Sequence, residues 1–321
     1  MLVKPITILT KPIICLLLLS GAAGATWAKT VWMDMDQAAL DAAYDQSVYA
    51  ANLAQVVARF SSNSEAAREV LGPPQRLRCG DLESSLLDVY PTSKADAPIF
   101  VFIHGGAWKL GLATDNAFAA EAFVREGAHF VVPDFSNVQD FDGNLMPMHE
   151  QLVEALTWIY QNAEESFGGD PNRIYISGFS SGGHLASTLL YVDWPARGAE
   201  LPANLIKGAV LCSGMYDLVP VALSARSNYV DFTPETIEAL SAVRYVEKIN
   251  CPVVLAYGTE ETPEFQRQTR DFAEALERAG VEHSLYVGEN YNHFEMIETL
   301  ANPYGLLGRP ALDLVRPDFE L

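Results

Sequence analysis

Residues 178–182 read Gly178-Phe179-Ser180-Ser181-Gly182 and follow the apolar run Arg173-Ile174-Tyr175-Ile176-Ser177. A serine set between two glycines at the end of a strand sits on a sharp strand-to-helix turn, where a glycine leaves room for the backbone to pass closely. That turn pushes Oγ out at the top of the sheet, with a helix N-terminus beneath it. The residues that follow, His184-Leu185-Ala186-Ser187-Thr188-Leu189-Leu190, supply the apolar, alanine-containing helix that the turn requires. The pattern therefore reads as a nucleophile in its proper setting, in preference to a Gly/Ser-rich turn without chemistry.

A serine hydroxyl is too weak a nucleophile at neutral pH to act alone, so a base must take its proton. The chain has six histidines, of which His184, His283 and His293 follow Ser180. In doubly wound hydrolases the chain order is serine, acid, histidine. His184 lies on the helix after the nucleophile, and His283 precedes the last strand at its wrong end. His293, in Asn290-Tyr291-Asn292-His293-Phe294, follows the C-terminal end of the final strand, where catalytic groups of parallel sheets gather. His293 is the expected base, with a loop histidine capping the next helix as the bland alternative.

The acid should leave the C-terminal end of the preceding strand, whose loop reads Gly258-Thr259-Glu260-Glu261-Thr262-Pro263-Glu264 and contains no aspartate. Glu264 opens the next helix, where a carboxylate meets the helix dipole favourably. Glu260 and Glu261 remain, with Asp217 as a third candidate, and position alone does not choose. An oxyanion site is expected at His104-Gly105-Gly106-Ala107-Trp108, after another strand. Two glycines there let the N–H groups of Gly105 and Gly106 turn toward a substrate carbonyl, with the Ser181 N–H as partner donor. One such donor is worth about 2.7–4 kcal/mol to the transition state. His104 reads as a group that holds this loop. Trp108, Phe179, Tyr216, Tyr291 and Phe294 lie near these loops and point to a compact, aryl-tolerant pocket; core packing is the alternative for each.

The elements that must position these groups alternate along the chain. Residues 34–71 read as helical, with Leu53, Val56, Val57 and Phe60 on one face. Gly72-Pro73-Pro74 ends that region. Strands are predicted at 75–79, 84–90, 99–103, 130–132, 174–177, 209–212, 253–257 and 284–287, and helices at 117–126, 148–163 and 264–279. Near-continuous apolar strands separated by helices imply a doubly wound, mostly parallel sheet covered on both faces, without a large lid domain. Residues 188–206 read as a surface excursion and 216–248 as a mostly helical insertion.

Composition bounds the rest. The chain has 321 residues, 49% hydrophobic and 19% charged, enough for one large domain over 26–321. Its 41 acidic and 21 basic residues give a formal charge of −20, which repels phosphate backbones and excludes nucleic acid as the expected partner. Residues 1–25 read as a signal peptide: Lys4 and Lys11 precede a short apolar core, and Ala23-Gly24-Ala25 (or Ala28) offers a cleavage site. A periplasmic or secreted protein without stable membrane insertion follows. Beyond Cys15 in that leader, Cys79, Cys212 and Cys251 remain, too few for a disulfide framework and read as buried apolar residues. No metal-ligand spacing is present, and no cofactor is expected.

His104–Trp108 (H-G-G-x-W), Gly178–Gly182 with Gly183-His184 behind it, and Asn292-His293-Phe294 resemble the α/β-hydrolase superfamily, in the branch of arylformamidases and related carboxylesterases. Leu40-Asp41-Ala42-Ala43-Tyr44-Asp45-Gln46-Ser47-Val48-Tyr49-Ala50 is similar to the N-terminal signature of that branch. Glu261-Thr262-Pro263-Glu264-Phe265-Gln266-Arg267-Gln268 is similar to its acid loop. The resemblance spans roughly residues 36–300 and implies Glu261 as the acid. It implies a Ser180–Glu261–His293 hydrolase of small esters or amides, working through an acyl-enzyme. Arylformamidases of tryptophan breakdown work inside cells, so an export signal turns the expectation toward external aryl esters and amides. The other readings are a peptidase on the same fold and a noncatalytic relative that binds a small molecule.

Overall fold

Seven consecutive buried residues, Ala97–Ile103, show why the middle of this molecule is a sheet with two covered faces. Ile99, Val101 and Ile103 enter one hydrophobic core, while Phe100 and Phe102 enter another on the opposite side. Side chains alternate across a strand, so an unbroken apolar run demands apolar partners on both faces. The structure is a computed structural model and describes residues 29–316. The signal peptide expected at 1–25 lies outside the described residues.

Eight strands form one sheet: β1 (Gln75–Arg78), β2 (Leu86–Tyr90), β3 (Ala97–Ile103), β4 (His129–Asp134), β5 (Gly169–Phe179), β6 (Ile206–Cys212), β7 (Val253–Gly258) and β8 (His283–Gly288). Their order is β1-β2-β4-β3-β5-β6-β7-β8. The β1–β2 and β2–β4 pairs are antiparallel, and every pair from β4 to β8 is parallel. The first core is closed by α4 (Met146–Phe167), α5 (Ser181–Leu189) and α9 (Pro263–Ala279), with Leu40 of α1 (Gln37–Ala43). The second is closed by α3 (Ala120–Glu126), α10 (His293–Glu298) and α11 (Gly308–Val315). This is the doubly wound, mostly parallel architecture expected from the strand pattern.

Two expectations are refined. The helical stretch 34–71 is broken into α1, a short 3-10 turn at Gln46–Val48 and α2 (Leu53–Leu71). The excursion at 188–206 is not wholly a surface feature, because α6 (Trp194–Arg197) buries Trp194 in the first core. The insertion at 216–248 carries α7 (Leu218–Leu223) and α8 (Pro234–Leu240), as its composition indicated.

Past their C-terminal ends the parallel strands stay tied together. Ser180 N–H donates to Cys212 O at 2.9 Å, Ser213 N–H to Ala256 O at 2.8 Å, and Thr259 N–H to Gly288 O at 2.9 Å. The loops that leave β5, β6, β7 and β8 therefore start from fixed positions on one side of the sheet. That is where parallel α/β sheets place their ligands.

Cys79, Cys212 and Cys251 are buried and unpaired. The parallel register sets Cys212 opposite Ala256 at the far end of β7 from Cys251, so those two thiols cannot meet. Burial pushes the Cys79 and Cys251 thiols up to about 12 and raises Cys212 as well. All three should therefore resist an aromatic disulfide reagent in the native protein and react once guanidinium unfolds it. Rapid stoichiometric labelling before unfolding would contradict this packing.

Candidate active site

Ser180 stands between β5 and α5 with φ 56° and ψ −123°. That backbone conformation is sparsely populated for a non-glycine residue and costs on the order of 1–3 kcal/mol. It persists because both flanks are fixed: the Ser180 N–H is bonded to β6, and the His184 N–H donates to Ser180 O at 3.0 Å. A Cβ on Gly182 would sit 2.2 Å from Ile103 O and 2.3 Å from His104 O, so the first turn of α5 packs directly on the end of β3. The second glycine of the pattern serves this close approach.

The loop after β3 closes over the serine. A Cβ on Gly105 would lie 3.2 Å from Ser180 Cβ, which measures how near that backbone comes. Gly106 has φ +127°, and a Cβ there would lie 1.9 Å from Leu110 O. Ala107 and Trp108 follow with φ 56° and 62°. Successive residues in unusual backbone regions gather N–H groups into a concavity suited to negative charge. The Ser181 N–H adds one of the four helix N-terminal donors that have no intrahelical acceptor.

Two histidines brace this loop. Trp108 is buried, and its Nε1–H donates to His184 Nδ1 at 3.1 Å while His184 Nε2–H donates to Leu240 O at 3.0 Å. His184 is thus held neutral by its partners, and burial pushes it down to about 3. His104 contacts Gly105 O through Nδ1 at 2.9 Å and stacks on Phe135, and burial lowers its pKa as well. Both histidines hold the loop, the role expected of His104; His184 was set aside only as the base.

Glu261 and His293 meet in a buried contact. Glu261, after β7, is 1% exposed, and its Oε2 accepts from His293 Nδ1 at 2.8 Å. Oε1 accepts from Ser213 Oγ at 2.6 Å and from the Gly258 N–H at 2.7 Å. A buried carboxylate bonded through both oxygens has no rotamer left to explore. His293 is the first residue of α10, whose Asn292 cap accepts from the Phe294 and Glu295 N–H groups. Its ring packs against Phe179, Phe265 and Phe294 at centroid distances of 4.7, 5.0 and 5.1 Å.

The other acidic candidates are occupied elsewhere. Glu260 is exposed to solvent. Asp217 caps α7 by accepting from the Val219 N–H, and Glu264 pairs with Arg267 and accepts from Tyr44 Oη at 2.9 Å.

The N-terminal segment locks onto the acid loop. Thr262 N–H donates to Gln46 Oε1 at 3.1 Å, Thr262 Oγ–H donates to Ala43 O at 2.6 Å, and Gln46 Nε2 reaches Glu261 Oε2 at 3.5 Å. Gln268 donates to Tyr44 Oη at 2.8 Å and accepts from the Tyr216 and Asp217 N–H groups. Burial, with the Glu264 carboxylate beside it, raises the Tyr44 phenol, which therefore stays a donor. The two stretches similar to family signatures, 40–50 and 261–268, are thus one contact surface.

Ser180, His293, Gly105 and Gly106 line a common cavity of about 640 Å³. Phe179 and Phe294 line it too. Three of the aromatic residues expected there do not. Trp108 is turned into the core by its bond to His184, Tyr216 is buried against Phe272 at 4.3 Å, and Tyr291 is 39% exposed outside the lining. Instead Leu53, Val57 and Phe60 of α2 form an apolar wall. Their shared face was legible in the sequence, but periodicity gives a face and not what it meets. Ser213 and Arg226 were also not singled out, since no local pattern marks them, and Gln46 appeared only as one residue of the stretch 40–50.

Among the described residues no cluster of three or more His, Cys, Asp or Glu is arranged to hold a metal ion, and no helix is long and apolar enough to cross a membrane. Residues 87–194 match the BD-FAE family model. The chain is 28% identical over 297 residues to a kynurenine formamidase of Danio rerio, covering 88% of this chain and 98% of that one. A Silicibacter protein described as a candidate thioesterase superposes with TM-score 0.73 at 22% identity, covering 86% of this chain and 98% of its own. An esterase of Thermogutta terrifontis superposes with TM-score 0.63, also at 22% identity, covering 78% and 96%. These structures share the fold.

Removing the Glu261 carboxylate should lower kcat by about 10⁴-fold, the scale of losing the group that orients a catalytic imidazole. Glu260→Ala should stay within about twofold of wild type. A larger loss from Glu260→Ala in ester assays would reverse this assignment. Gln46→Leu strands the buried Thr262 N–H, so denaturant melts should show a loss of about 1–3 kcal/mol.

Proposed function

We propose that this chain, which is similar to kynurenine formamidases and has the fold of α/β-hydrolase esterases, cleaves a small, aryl-containing carboxylic ester or amide through an acyl-enzyme on Ser180. The observation that carries this reading is the buried Glu261–His293 hydrogen bond, 2.8 Å long, at a cavity that Ser180 also lines.

With Nδ1–H donated to Glu261, His293 keeps Nε2 free to accept a proton. As Ser180 Oγ attacks the substrate carbonyl carbon, its proton passes to Nε2. The carbonyl oxygen becomes an oxyanion held by the N–H groups of Gly105, Gly106 and Ser181. Collapse breaks the bond to the leaving group, which takes the proton from His293 and departs as an alcohol or amine. Water then attacks the acyl-enzyme with His293 again as base, releasing the acid and restoring Ser180.

The cavity volume of about 640 Å³ and its wall of Leu53, Val57, Phe60 and Phe294 favour a compact apolar or aryl substrate. With an export signal at 1–25, such substrates are external to the cytoplasm, and 26–321 acts as one domain. Wild type should hydrolyse p-nitrophenyl acetate with Ser180→Ala reduced by at least about 10⁴-fold. Equal activity in both proteins would overturn the mechanism. A panel of aryl formamides, aryl amides and short aryl esters, compared by kcat/KM, should rank aryl substrates above long-chain esters. A preference for long acyl chains would overturn the substrate class.

A further inference from the structure

Arg226 lines the same cavity as Ser180 and His293. It is half-buried. Its Nη1 donates to Tyr229 Oη at 2.7 Å and its Nη2 to Tyr44 O at 3.0 Å, and its guanidinium carbon lies 5.7 Å from the Trp108 ring centroid. All three partners are neutral. A guanidinium has five N–H donors, so these bonds fix its plane and leave donors unused.

Among the described residues no carboxylate lies within ion-pair distance of Arg226. Among the described residues Arg68, Arg78, Arg173 and Arg270 likewise make no ion pair, but of these arginines Arg226 is the one that lines the cavity. Arg267, half-buried like Arg226, holds two carboxylates, and so does the more exposed Arg76. Lys109, packed over the Tyr229 ring at 4.2 Å, adds a second cation to this cluster, also without an ion pair. The acids that line the cavity are engaged elsewhere: Asp45 accepts from the Ser47 N–H and Oγ–H, and Asp115 from Ser61 Oγ. A fixed, partly desolvated cation with free donors is a preorganised site for an anion, and its planar fork matches a carboxylate.

We propose that Arg226 binds a carboxylate carried by the substrate, so that the enzyme selects esters or amides with an apolar body and one remote carboxylate. This rests on the hydrolase reading above and narrows its substrate class. Asp45 and Asp115 on the same lining limit the substrate to one such group, since a second anion would meet like charge.

The test uses three esters of matched length: the monoester p-nitrophenyl adipate, neutral p-nitrophenyl hexanoate and cationic p-nitrophenyl 6-aminohexanoate. The quantity read is kcat/KM for the adipate relative to the hexanoate. Arg226→Gln keeps side-chain donors for Tyr44 and Tyr229 while removing the charge, and should lower that ratio by about tenfold or more, the scale of a charge-assisted hydrogen bond. Arg226→Lys should retain most of it. A ratio unchanged within about twofold in Arg226→Gln, or a wild-type preference for the cationic ester, would overturn the proposal. Calorimetry on Ser180→Ala, comparing 4-phenylbutyrate with its carboxamide, needs no turnover. Arg226-dependent binding of the carboxylate without ester hydrolysis by wild type would retain this inference and reject the hydrolase mechanism. Hydrolysis without Arg226-dependent binding would do the reverse.

Discussion

The interaction on which this site depends is the buried contact between Glu261 and His293. A carboxylate that is 1% exposed is tolerable only if its lone pairs are met, and here they are met from several parts of the chain. Ser213 follows β6, Gly258 ends β7, His293 follows β8, and Gln46 comes from the N-terminal segment. The first three donors are where they are because three neighbouring parallel strands end side by side. The carboxylate thereby ties the sheet's C-terminal edge to the segment that walls the cavity. Loosening any donor loosens the hold on His293, which lines the same cavity as Ser180.

Strain is concentrated where the chemistry is expected. Ser180, Ser213, Ala107 and Trp108 are all non-glycine residues at positive φ, and all lie on the loops leaving β5, β6 and β3. Backbone of this kind holds only when its surroundings over-determine it. The ladder bonds past the strand ends, the packing of α5 on β3 and the Trp108–His184–Leu240 chain provide that constraint. Rigid elements thus hold the candidate site residues at the C-terminal ends of the parallel strands, where α/β sheets place their ligands.

What was legible in the sequence was what a short stretch of chain encodes. The Ser180 turn and the glycine loop at 104–108 announce themselves through residues that need unusual backbone or close approach. His293 followed from strand order, because parallel strands put their useful ends on one side. Glu260 and Glu261 are neighbours in one loop, and only burial separates them. Glu261 turns inward because Ser213 and Gln46, 48 and 215 residues away in sequence, offer it donors. The resemblance to family signatures pointed to Glu261 without that reason. The cavity wall was misread for a similar cause: an aromatic residue near a catalytic loop looks the same in sequence whether it faces a substrate or the core. Trp108 and Tyr216 face the core, and α2 supplies the wall.

The central claim is that Ser180 carries the covalent intermediate. Its most direct test is intact mass measurement and peptide mapping after treatment with an aryl fluorophosphonate, which traps a serine nucleophile irreversibly. One phosphonyl adduct on the peptide containing Ser180, with loss of ester hydrolysis in proportion to labelling, is the expected result. Complete labelling at another residue with loss of activity, or persistent activity in a protein fully labelled at Ser180, would contradict it.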